Sequence, residues 1–166
     1  MRKTIEDVIA EAAIRDLQMR YCRGVDRHDE ELVRSCFHPD ATVDYGIFGG
    51  DVDTFVASLY QTLPLFLITT HNTGNQNVEV NGTTAWAEHY AVATHRLAAD
   101  EHGPLRDFAT AVRYVDKLEC RDGDWRILRR ELVLDWTRTD PVAPASPDPP
   151  VPPGCRGKSD PSYALR

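Results

Sequence analysis

Between Val78 and Leu97 the chain reads Val78-Glu79-Val80-Asn81-Gly82-Thr83-Thr84-Ala85-Trp86-Ala87-Glu88-His89-Tyr90-Ala91-Val92-Ala93-Thr94-His95-Arg96-Leu97. From Thr84 onward a set rich in alanine (Ala85, Ala87, His89, Ala91, Ala93, His95) alternates with a set of mostly larger residues, the period of a strand whose two faces meet different surroundings. Asn81-Gly82 joins this strand to the one before it, because both residues tolerate the positive φ of a tight hairpin. The spacing predicts four long antiparallel strands at 68–80, 84–97, 106–119 and 125–137. Arg121-Asp122-Gly123-Asp124 is a second turn, and residues 100–104 form a longer connection. Strands of 13 or 14 residues exceed the usual length of about 5–6, so bends or bulges are expected.

Upstream of Pro64 the period is helical. Ile5, Val8, Ile9, Ala12, Ala13, Leu17, Tyr21 and Val25 recur at three- and four-residue steps, predicting a helix over 4–25 with these residues on its buried face. Thr4 and Asp7 suit its start, since a hydroxyl and an early carboxylate satisfy free N–H groups. A short helix over 29–36 ends before Pro39, a strand spans 41–45, and Gly46, Gly49 and Gly50 break it. A third helix over 53–63 turns Phe55, Val56, Leu59 and Tyr60 inward. Helices first and an antiparallel meander afterwards indicate an α+β fold and not a βαβ winding. The domain is expected over residues 1–139. Eight of the eleven prolines lie beyond Thr139, so 140–166 reads as a proline-rich C-terminal arm, extended or disordered, with Asp160-Pro161-Ser162-Tyr163-Ala164-Leu165 apolar enough to dock on a neighbour.

The 166 residues, 42% hydrophobic and 27% charged, suffice for one soluble domain. A formal charge of −7 and a pI near 5.3 argue against a nucleic-acid partner. No apolar run approaches the roughly 20 residues that span a bilayer, so no membrane role is expected. The N-terminus turns acidic where an export signal needs apolar residues. Cys22, Cys36, Cys120 and Cys155 have neither zinc-ligand nor disulfide-framework spacing, and the dispersed histidines suggest no metal. A reduced, cytoplasmic location and no cofactor are expected.

Polar residues at inward positions carry the functional signal. In the last strand Leu128, Arg130, Leu132, Leu134 and Trp136 share one face. Arg130 among apolar neighbours must meet a carboxylate, as a structural ion pair, or line a wet cavity and orient a substrate. On the second strand Ala85, Ala87, His89, Ala91, Ala93 and His95 share a face; such small residues leave volume for a ligand or for a closely packed helix. The opposite face, from Trp86 through Tyr90 and Val92 to Arg96, suits an oligomer contact. Phe108, Thr110, Val112 and Tyr114 set a hydroxyl and a phenol among apolar groups, as a pocket wall or as core. His71 lies in a stretch rich in hydrogen-bonding side chains, and Asp26 ends the first helix. Tyr21 and Asp26 are five apart, sharing a side only if the helix ends or kinks near Gly24.

Ala13-Ile14-Arg15-Asp16-Leu17, Tyr21, Val25-Asp26, Phe37-His38-Pro39-Asp40-Ala41, Thr70-His71-Asn72-Thr73-Gly74-Asn75 and Arg121-Asp122-Gly123-Asp124-Trp125-Arg126-Ile127 resemble the SnoaL-like branch of the nuclear-transport-factor-2-like superfamily. The resemblance covers residues 4–137 and implies a cone-shaped α+β barrel, with N-terminal helices packed into a strongly curved antiparallel sheet. Within the superfamily the pattern is most similar to scytalone dehydratase, bile-acid 7α-dehydratase and hexachlorocyclohexane dehydrochlorinase, which use an Asp–His dyad for elimination. The resemblance places the dyad at Asp26 and His71, the helix tyrosine of the dehydratases at Tyr21, a last-strand arginine at Arg130 and a pocket tyrosine at Tyr45. A second histidine falls at His95 or His89. Where the chlorinated-substrate enzyme has a lysine, this chain has Arg23. The implied activity is a cofactor-free dehydratase acting on a cyclic, polycyclic or steroid-like substrate, with cyclase or isomerase chemistry, or a non-catalytic binding or subunit role, as alternatives. The related dehydratases are trimers, and a homo-oligomer, dimer or trimer, is expected.

Overall fold

Residues 3–143, 151 and 154–164 are described by the computed structural model. The first helix, α1 (Ile5–Arg27), starts in a capping box: Asp7 N–H donates to Thr4 Oγ1 at 3.2 Å and Thr4 N–H to Asp7 Oδ2 at 2.9 Å. It ends where His28 turns left-handed, at φ 53°. Its buried face is Ala10, Ile14, Leu17, Tyr21, Cys22 and Val25, whereas Ile5, Val8 and Ile9 are 75%, 54% and 64% exposed. That corrects the single apolar face read from the sequence. At 3.6 residues per turn, Ile5, Val8, Ile9 and Ala12 stand on the opposite side of the helix from Ile14, Leu17 and Tyr21, and the sheet covers only the second stripe.

A short α2 (Glu30–Arg34), capped by Asp29 accepting from Leu32 N–H at 3.1 Å, folds back on α1. Gly24 permits the approach: a Cβ there would stand 2.6 Å from Val33 Cγ2. Next come β1 (Phe37–Asp44), a three-residue β2 (Gly49–Asp51) and α3 (Val52–Thr62), followed by a 3-10 turn over Leu63–Leu65. β1 starts four residues earlier than expected, and β2 was not expected. A chain interrupted by Gly49 and Gly50 can still pair as an edge, and Gly50 does so at φ 130°.

The meander follows as β3 (Ile68–Asn81), β4 (Thr84–Leu97), β5 (Arg106–Arg121) and β6 (Asp124–Pro141). Strand order in the six-stranded sheet is β2-β1-β6-β5-β4-β3, antiparallel except for the β1–β6 pair. The sheet curves around α1 without closing, which is the cone-shaped α+β architecture expected. β6 carries the sheet two residues past the expected boundary at 139. Pro149-Pro150 and Pro152-Pro153, read above as part of the arm, lie outside the described residues. The segment 154–164 packs on its own chain, held by polar contacts to α1 and α2, and ends in a one-turn α4 (Pro161–Ala164).

The expected bulges are present, and they change which residues face inward. The register shifts between Lys117 and Leu118, where Leu128 is the extra residue of β6, and between Ala111 and Val112, where Asp135 is. Each bulge reverses the alternation. Arg130, Leu132 and Leu134 therefore face in, but Leu128 joins Trp86 and Lys117 on an outer groove, and Trp136 is 46% exposed. Thr137 takes the inward place read for Trp136.

Candidate functional site

Between α1, α3, the Leu63–Leu65 turn and the concave sheet lies a cavity of about 380 Å³ with a mainly apolar wall. Of the residues picked out in the sequence for a site or pocket wall, Tyr21, Tyr45, His71, Ala93, His95, Phe108, Thr110, Val112, Tyr114, Leu132 and Leu134 line it. Five others, Asp26, Arg130, His89, Ala91 and Trp136, are not part of the lining. Phe66 and Thr137 line it and were missed. Phe66 follows Pro64 in a turn with no period to read, and Thr137 is displaced by a bulge with no local sequence mark.

α1 runs through Gly24 without a break, so Asp26 leaves the helix on a side different from Tyr21. It meets β3 instead. Asp26 Oδ2 accepts the His71 backbone N–H at 2.9 Å, and Oδ1 lies 2.7 Å from His71 Nδ1. A carboxylate only accepts, so Nδ1 carries the proton and Nε2 of the neutral ring is left with its lone pair. The two-point grip fixes both backbone and ring, and only the imidazole reaches the cavity wall.

The same cavity is lined by a phenol cluster. Tyr21 and Tyr45 share a hydrogen bond of 2.8 Å between their hydroxyls, and the Tyr21 and Tyr114 rings meet edge to face at 5.7 Å. Burial raises Tyr45 to about 12 and pushes Tyr21 and Tyr114 well above the ordinary value, so all three are neutral donors at pH 7. Behind them, Arg130 is fully buried and bidentate on Asp116, with Nε–Oδ1 at 2.7 Å and Nη2–Oδ2 at 2.8 Å. Its guanidinium carbon lies 4.2 Å from the Tyr21 ring centre and 4.7 Å from that of Tyr114. Burial opposes its charge, but the Asp116 carboxylate outweighs that and holds the group well above the ordinary arginine value. Of the two readings the sequence left open, the structure places Arg130 in an ion pair. Asp116 was missed, although it continues the inward alternation of Phe108, Thr110, Val112 and Tyr114 and pairs directly with Arg130 in register.

The two histidines of β4 part company. His95 reaches the cavity, 6.0 Å from the His71 ring centre and 4.7 Å from that of Phe66. His89 is fully buried and stacked on Tyr114 at 4.7 Å. Burial lowers His95 to about 4 and His89 to about 2, and the Arg130 guanidinium near His89 adds to its shift. Unfolded histidines titrate near 6.5, so below that pH the unfolded chain takes up protons that the folded chain refuses. This contribution is complete above about pH 6.5 and falls toward pH 5 by about 1.4 kcal/mol per pH unit for each histidine. Urea midpoints between pH 5 and 7 are expected to fall with acid, and less steeply in His89→Phe; equal slopes would contradict the burial of a neutral ring. Arg23 lies away from the cavity, its guanidinium 4.5 Å from the ring centre of Tyr163. Among the described residues, no group of three or more His, Cys, Asp or Glu is placed to hold a metal ion, and no helix is long and apolar enough to cross a membrane.

A helix-backed cone with a mainly apolar cavity and a carboxylate-held imidazole on its wall defines a class of domain that encloses a small molecule. Within that class, the chain belongs to the SnoaL-like domain family, whose pattern matches residues 6–131. A type 2 hexachlorocyclohexane dehydrochlorinase (LinA) superposes with a TM-score of 0.70 at 23% identity, covering 86% of this chain and 95% of that one. A scytalone dehydratase-like protein from Novosphingobium aromaticivorans gives 0.70 at 25% identity, over 84% and 97% of the two chains. The type 3 dehydrochlorinase from Novosphingobium barchaimii gives 0.72 at 21%, over 83% and 97%. No curated protein matches the sequence.

Proposed function

We propose that this protein is a cofactor-free lyase of the dehydratase type, acting on a cyclic hydroxylated carbonyl compound held in the cavity. The observation that carries the reading is the 2.7 Å Asp26–His71 contact, which leaves the other imidazole nitrogen free on the wall of an apolar cavity. His71 Nε2 takes the proton α to the carbonyl. Asp26 holds the tautomer and stabilises the imidazolium that forms. The Tyr21–Tyr45 pair, kept neutral by burial, donates a hydrogen bond to the enolate oxygen. The imidazolium then gives its proton to the β-hydroxyl as the C–O bond breaks, so water leaves and His71 returns to its neutral form. Arg130 lies off the cavity lining and acts as a positioning residue, holding the Tyr21 and Tyr114 rings from behind. His95 and Phe66 shape the wall beside His71.

The scytalone dehydratase-like neighbour supports elimination of water as the reaction in this cavity. At about 380 Å³ the cavity falls within the usual range of small-ligand sites. Its occupant is a cyclic, polycyclic or steroid-like molecule. The same reading takes the protein as cytoplasmic; it also takes it as a homo-oligomer, dimer or trimer, because Trp86, Tyr90, Val92 and Trp136 stand more than a third exposed on the outer sheet face. The test is a panel of β-hydroxy cyclic ketones of one to four rings, followed by growth of enone absorbance. Turnover of a panel member by the wild type and not by His71→Ala is the expected result. Binding of those ketones with no enone formed would replace the lyase by a ligand-binding protein.

A further inference from the structure

The C-terminal segment returns to the domain and anchors itself at three points. Gly157 N–H donates to the Arg27 carbonyl at 2.7 Å, satisfying one of the last carbonyls of α1. Asp160, 6% exposed, sits 3.4 Å from Arg27 Nε and accepts from the Ser162 N–H and hydroxyl. Tyr163 donates its hydroxyl to Asp29 Oδ2 at 2.7 Å, the carboxylate that caps α2, while Arg23 lies over the Tyr163 ring. From this base one side chain reaches toward the cavity. Arg156 Nη1 donates to the carbonyls of Phe66 at 2.5 Å and Leu63 at 3.4 Å, the two ends of the turn that closes the cavity. Leu63 and Phe66 both line the cavity, and Phe66 packs on His95 at 4.7 Å. Arg156 also lines a cleft of about 420 Å³ together with Asp26, the carboxylate that holds His71.

We propose that the segment 154–164 is a strap that fixes the cavity wall, and that Arg156 is its positioning residue, setting Phe66 against His95. A guanidinium bridging two carbonyls at once is a charge-assisted clamp on a turn whose other described bonds are backbone ones, Leu63 N–H to Leu59 O, Phe66 N–H to Leu63 O at 3.1 Å and Leu67 N–H to Arg96 O at 2.7 Å. The turn carries no other described side-chain clamp. The proline-rich chain between β6 and Gly154 thus ends in a part of the site and is not a mere appendage. This holds whether the cavity catalyses or only binds.

The test is made on the full chain without substrate, by hydrogen exchange and histidine-selective NMR. In Arg156→Ala, the amides of Leu63, Leu65, Phe66 and Leu67 are expected to exchange about tenfold faster, with β5 unchanged. The His95 ring resonances move toward their positions in Phe66→Leu, because the ring current of Phe66 is lost, while those of His38 stay fixed. Arg156→Lys restores part of both effects, and Tyr163→Phe, which releases the far anchor, reproduces them in smaller measure. A folded Arg156→Ala with unchanged exchange at 63–67 and unmoved His95 resonances would overturn the proposal. If Arg156→Ala does not fold, unchanged values in both Arg156→Lys and Tyr163→Phe would overturn it equally.

Discussion

Replacing His71 with alanine is expected to lower turnover of a dehydratable ketone by about 10²–10⁴-fold, the contribution of a positioned general base. The protein should remain folded, because the imidazole lies at a cavity wall and its loss removes only one of the two bonds to Asp26; the backbone bond at 2.9 Å stays. Asp26→Asn separates the roles. An amide can accept from Nδ1 through its oxygen, so the ring keeps its place, but the imidazolium loses its countercharge. Its rate should fall while ligand affinity holds, a kcat effect and not a KM effect. Because Asn can also present its NH₂ to Nδ1 and reverse the tautomer, the loss is expected to approach that of His71→Ala. Wild-type rates in either variant would end the proposed mechanism. A loss confined to KM would mean that the pair only shapes the cavity.

The second large effect concerns stability. Asp116→Ala is expected to cost about 3–5 kcal/mol, since it strands a buried guanidinium without its countercharge. Against a total stability of about 5–15 kcal/mol for a domain of this kind, the urea midpoint should drop by a large fraction. The double replacement Asp116→Leu with Arg130→Leu should recover much of the loss, because similar apolar volume without charge carries no desolvation penalty. A double variant no more stable than Asp116→Ala would show that packing of Arg130 on Tyr21 and Tyr114, and not its charge, is what the core needs. Arg130→Leu alone tests the positioning role. Turnover per folded molecule falls if the guanidinium sets the phenols, and is unchanged if the pair is only structural.

The comparison between sequence and structure turns on these residues. Alternation along β4 placed Ala91, Ala93 and His95 on the inner face correctly, because the strand pairs with β5 without a register break. The same reading along β6 held only between its two bulges, so Arg130 and Leu132 came out inward and Trp136 came out wrong. α1 shows the matching limit for helices. Two apolar stripes were present in the sequence, and their period was the same. Only contact with β3 and β6 selects the one carrying Ile14, Leu17 and Tyr21.

By itself the sequence determined the α+β class, the order of the main helices and of the four long strands, and Arg130 as a polar residue that does not belong on an apolar face. These follow from local periodicity, turn chemistry and the cost of burying charge, all of which are written within a few residues. The tertiary structure decided the rest. That Asp26 grips His71 across 45 residues, that Arg130 is neutralised by Asp116 and screened from the cavity by tyrosines, and that Arg156 reaches back to Phe66 all depend on how strands and helix are set in register. Those settings arise from bulges and curvature, whose cause is the packing of the whole sheet around α1 and not any short stretch of chain.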